Sequence, residues 1–70
     1  MFLLARKDDK TGRYWPLDIN GMIAKNFDDA DLYFTEADAR LAQLELGGVI
    51  LHERELPAEI RERHTLLEDL

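Results

Sequence analysis

The chain contains no cysteine and no serine. Without cysteine there is no disulfide, no thiolate metal ligand and no thiol nucleophile. Without serine a common hydroxyl nucleophile is gone as well. Long apolar runs are missing too. The longest uncharged one is Met1 to Ala5, far short of the roughly 20 residues that cross a bilayer. No basic region precedes that stretch, so no signal peptide is expected. The lack of cysteine fits an intracellular protein, and the expected location is the cytoplasm. Positive charge is in the minority: 9 Lys and Arg against 15 Asp and Glu give a net charge of −6. A net acidic domain is a poor nucleic-acid binder, because such binding draws on phosphate neutralisation by Lys and Arg. Basic protein surfaces are its more natural partners.

At 70 residues the chain is one small domain. A chain this short buries only about 60% of its unfolded surface, so its stability margin is thin. Disulfides being excluded, a partner chain is the natural extra support. Apolar residues at 46% of the sequence argue against disorder. Acidity is concentrated in the middle. Residues 26–48 carry Asp28, Asp29, Asp31, Glu36, Asp38 and Glu45 against Arg40 alone.

The clearest local signal runs from Thr35 to Leu51. Thr35 is an N-cap with an acid, Asp38, three residues on. A helix follows over Glu36 to Leu46, Gly47-Gly48 supplies a left-handed stop, and Val49-Ile50-Leu51 starts a strand. The helix has two apolar stripes, Ala37/Leu41/Leu44 and, almost opposite, Ala39/Ala42/Leu46. One sheet covers one face, so the other needs the C-terminal segment or another molecule.

Upstream, Phe2 to Arg6 reads as a strand, Asp8 to Gly12 as a hairpin loop and Arg13 to Leu17 as the returning strand. Pro16 puts that strand at an edge or bends it. Asn20-Gly21 is a turn signal, and Met22-Ile23-Ala24 is either a short strand or a buried loop. Asp28 is expected to cap a single helical turn, with Phe27, Leu32 and Phe34 packing inward and Phe34 stapling against Ala39. Downstream, a strand is expected over 49–56. An amphipathic helix over about 57–68, opened by Pro57, places Ile60, His64 and Leu67 on one face. The expected fold is α+β: a small antiparallel sheet of about three strands on one helix, with a C-terminal amphipathic helix, all in one domain over 1–70.

Over about residues 1 to 55 the chain resembles small phage and prophage proteins of unknown function. The residues that carry the likeness are Gly12, Tyr14 and Trp15 in the hairpin, the stretch from Phe27 to Phe34 around Asp28 and Ala30, and Thr35-Glu36-Ala37-Asp38-Ala39. Asp38 stands where Glu is commoner, and the last helix lies outside the pattern. The resemblance implies a ββαβ unit and carries no catalytic residue. In size, acidity and lack of motifs the chain is similar to phage inhibitors of host defence, anti-CRISPR proteins among them.

No constellation points to catalysis. The acidic cluster lacks the glycine and the closing glutamate of a calcium loop. His52 and His64 are the only histidines, and Thr65, beside His64, points about 100° away from it on a helix. No cofactor and no metal are expected. The candidate partner-binding residues are Asp28, Asp29, Asp31, Glu36, Asp38, Glu45, Trp15, Tyr33, Ile60, His64 and Leu67. Against that stand blander roles: capping and solvation for the acids, core or edge cover for Trp15, and an intramolecular lid over the second helical stripe for the last helix. A nucleic-acid mimic is a further reading of the acidic face. Trp15, if exposed, is the best single hot-spot candidate for a protein interface.

The expected function is a non-enzymatic protein-binding module, encoded by a phage or mobile element and inhibiting a host protein by steric or acidic-surface occlusion. The partner would be a nucleic-acid-handling complex with a basic surface, with no direct nucleic acid and no membrane. The alternative is a structural or regulatory homodimer joined through the last helix or the edge strand. A metal-dependent hydrolase or nuclease built on the Asp cluster ranks third.

Overall fold

The computed structural model describes residues 1–62. The chain forms β1 (Phe2–Lys7), β2 (Tyr14–Pro16), a 3-10 turn (Phe27–Asp29), β3 (Leu32–Tyr33), α1 (Glu36–Leu46), β4 (Val49–His52), a second 3-10 turn (Glu53–Glu55) and α2 (Ala58–Arg61). The architecture is the expected α+β. The four-stranded sheet is antiparallel throughout.

β1 is central because it is the apolar strand. Leu3 lies opposite Leu51 of β4 and also opposite Leu32 of β3, and Ala5 lies opposite Val49 and Pro16. A residue has one partner per edge, so β4 occupies one edge of β1 while β2 and β3 follow each other along the other. Leu3, Leu4 and Ala5 are accordingly buried on both faces.

The β1–β2 hairpin turns at Asp8. Its carboxylate accepts from the Lys10 and Thr11 amides at 3.1 and 3.2 Å and from the Thr11 hydroxyl at 2.8 Å. The Thr11 bond, with the Lys10 amide next, holds the Asp8 carboxyl below its usual range. Pro16 has no amide to donate, but its carbonyl accepts from the Ala24 amide at 2.9 Å. Met22 to Ala24 is thus a loop laid along β2, joined by a single Leu17–Ile23 bridge.

The two faces of the sheet have different covers. On one, Leu3, Ala5, Trp15 and Ala24 pack with Leu56 and Ile60 from the C-terminal segment. On the other lies α1, which crosses β1, β3 and β4. The Arg6 guanidinium reaches the Leu46 carbonyl at the end of α1 at 3.4 Å, placing a cation at the helix's negative pole. Thr35 caps α1 as expected, its hydroxyl accepting from the Asp38 amide at 3.1 Å. The Gly47 amide closes the helix on the Gln43 carbonyl at 2.8 Å, with Gly47 at φ 77°. Gly48 has a second reason to be glycine: a Cβ there lies 2.7 Å from the Ala5 carbonyl oxygen, against the central strand.

Four expectations are corrected. Asn26, not Asp28, holds the N-cap position of the first 3-10 turn, without a capping side-chain bond, and Asp28 sits inside the turn. A two-residue strand, Leu32–Tyr33, follows that turn where no strand was expected. Phe34 is 80% exposed rather than packed inward, so it staples nothing to the buried Ala39. β4 stops at His52, because the His52 ring accepts from the Arg54 amide at 3.2 Å and turns the chain into the second 3-10 turn. The last helix opens after Pro57 as expected and is described over Ala58–Arg61. His64 and Leu67 lie outside the described residues.

Candidate interaction surface

Which side of α1 meets the sheet is decided by side-chain size. The Ala39/Ala42/Leu46 stripe lies inward, with Ala39 fully buried and Ala42 and Leu46 half-buried. Alanine at the contact lets the helix axis approach the strands closely. The Ala37/Leu41/Leu44 stripe therefore faces out: Leu41 is 68% and Leu44 85% exposed. Thr35 is extended at φ −122°, and the residue before it, Phe34, is exposed next to the start of the helix. Within the helix, Ala37, Leu41 and Leu44 are spaced four and three apart, the spacing of a helix seam.

As far as Glu62, the C-terminal segment packs on the sheet face opposite α1. Ile60, which reads from sequence as a lid or an anchor, is fully buried with Leu3, Ala5, Trp15, Ala24 and Leu56, none of them on α1. Trp15 is likewise 1% exposed and takes the core role rather than the hot-spot role. Its indole Nε1 finds no acceptor among the described residues. Neither residue is available to a partner in the folded chain.

The acidic residues spread over two elements and the stretch between them. Asp28 and Asp29 are exposed in the first 3-10 turn, where Asp29 accepts from the Asn26 side chain at 3.4 Å. Asp31 accepts from the Tyr33 hydroxyl at 2.8 Å. Partial burial, followed by that bond and the charge of Asp31, pushes the Tyr33 phenol up to about 12. Glu36 pairs with Arg40 at 3.1 Å along α1, and Asp38 and Glu45 are exposed on the same helix. No three acidic or histidine side chains converge as a metal set among the described residues. The Thr11 and Thr35 hydroxyls are engaged in a hairpin turn and a helix cap.

On an α-helix, Asp38 and Glu45 lie three residues before and four after Leu41, so they edge the stripe on one side. Arg40 and Glu36, bound to each other, edge it on the opposite side. The outer face of α1 is therefore an apolar strip with one acidic margin and one neutral margin. Sequence reading found the acidic margin and missed Phe34, Leu41 and Leu44. The signal was there in the second stripe, which one sheet cannot cover.

Two recesses complete the surface. One, of about 360 Å³, lies between Arg13, Tyr14, Leu51 and Leu56. The other, of about 450 Å³, is lined by Arg6, Asp18, Met22, Ile23 and Lys25. Neither brings together a nucleophile and a base. Compared with known protein families, with curated proteins and with solved structures, the chain finds no match. No helix among the described residues is long and apolar enough to cross a membrane.

Proposed function

We propose that this chain is a non-enzymatic protein-binding module whose contact surface is the outer face of α1 with its acidic surroundings. One observation carries the reading: Leu41 and Leu44 stand at 68% and 85% exposure on a helix whose opposite side is buried, and Phe34, just before its start, is 80% exposed. Adjoining exposed apolar side chains rimmed by polar residues mark an interaction site. The acidic residues from Asp28 to Glu45 bias that site toward a basic partner surface. Together with the resemblance to small phage proteins, this extends to inhibition of a host protein by occupying its surface.

The test is site-specific photo-crosslinking in a bacterial lysate. A photoreactive amino acid at position 41 yields a discrete protein adduct, weakened by salt. The same group at position 10, on the hairpin loop, does not. No adduct at position 41, or the same adduct at both positions, overturns the reading.

A further inference from the structure

The stripe on α1 also specifies the chemistry of what it seats, granted the reading above that it is a docking surface. Its geometry is that of one helix presenting a short seam, Ala37, Leu41 and Leu44 in four-three spacing, with Phe34 exposed just before the helix starts. A partner helix with apolar residues at the same spacing fits such a seam side by side. Electrostatics then chooses among helices. Among the described residues no ion pair reaches Asp38 or Glu45, and Arg40 lies across the stripe, engaged by Glu36 at 3.1 Å. Glu45 is also one residue from the end of α1, whose last turn holds no basic residue. An acid there opposes the negative pole of the helix, which Arg6 meets at the Leu46 carbonyl, and a partner's cation facing Glu45 adds to that relief.

A second copy of the chain is the poorer match. Antiparallel pairing of two α1 helices sets Asp38 against Glu45 of the other copy. Parallel pairing offers Arg40 to Glu45, but Arg40 must first leave Glu36, and Asp38 stays unmatched. Either arrangement also joins two molecules of net charge −6.

We infer that the outer face of α1 seats a basic amphipathic helix of another protein, one whose apolar seam is bordered by Lys or Arg facing Asp38 and Glu45. Phe34, Leu41 and Leu44 are its apolar anchors. Asp38 and Glu45 select its charge.

The experiment titrates the full, isotope-labelled chain with two synthetic peptides, followed by amide chemical shifts. Both are about 18 residues long, enough to form a helix on binding, with Leu at the seam positions. One carries Lys at the margins and the other Glu. The Lys peptide is expected to shift amides from Phe34 to Glu45 and to bind about tenfold or more tightly than the Glu peptide, with the preference shrinking at high salt. L41Q/L44Q, which leaves the charge unchanged, should weaken the Lys peptide about tenfold, as loss of central apolar anchors does. D38N/E45Q should instead erase the preference between peptides.

The failures are separable. If neither peptide binds, the docking surface itself is refuted. If both bind equally, the docking surface stands and the choice of a basic partner falls. Equal binding of the Lys peptide to wild type and L41Q/L44Q reduces the effect to bulk charge and overturns the inference. So does a dimer of the chain alone that L41Q/L44Q dissolves, or a shift of residues 63–70 in that variant without peptide. Those two results give the stripe to a second copy or to the chain's own end.

Discussion

Gly48 sits where the turn after α1 passes the central strand. Its φ is 82° and its Cβ position is 2.7 Å from the Ala5 carbonyl oxygen. Gly48→Ala is expected to cost about 2 kcal/mol or more, combining left-handed strain with a backbone clash. Gly47→Ala meets nothing within 4 Å and should cost less. Urea denaturation of the two variants checks the order. Tyr33 gives a second residue-scale prediction. Its phenol is raised from 10.0 to about 12, chiefly by burial and then by Asp31. A raised acid stays neutral in the fold while the unfolded chain ionises. The stability from Tyr33 is therefore complete below about pH 10 and lost as pH rises toward about 12. In Tyr33→Phe the phenolate absorbance that develops latest in an alkaline titration should vanish, along with that part of the stability loss.

α1 is stable as an element for two separate reasons. Its start is locally encoded, and Thr35→Ala should cost about 1 kcal/mol in thermal or urea unfolding by freeing the Asp38 amide. Its docking is tertiary, through Ala39, Ala42 and Leu46. The outer stripe contributes to neither. L41Q/L44Q is therefore expected to change stability by less than about 0.5 kcal/mol, since both side chains lie in solvent. Unfolding measured by circular dichroism checks this, and a large loss would mean the stripe is covered within the chain. β3 was the element sequence could not show. Two residues carry no periodicity, and Leu32–Tyr33 is a strand only because Phe2 and Leu3 offer it an edge.

Over residues 1–62 the molecule is a sheet with α1 on one side and Leu56 and Ile60 on the other, and the net charge of the chain is −6. With an acidic margin along the exposed stripe of α1, it should sediment as a monomer at high micromolar concentration in moderate salt. A dimer under those conditions favours the homodimeric alternative. The hairpin, both ends of α1, the stop at Gly47 and the acidic balance were legible in the sequence because each is set within a few residues. Asp8 and Thr35 bond amides two or three positions on, and charge needs no fold at all. The candidate site was only half legible. Both stripes of α1 satisfy the same 3.6-residue period, so periodicity alone does not choose between them. Packing chose, because alanines approach a sheet more closely than leucines, and that choice turned Leu41 and Leu44 to solvent. The same packing drew Trp15 and Ile60 into the core: each is apolar on a neighbouring element, and only the fold brings them against Leu3 and Ala5.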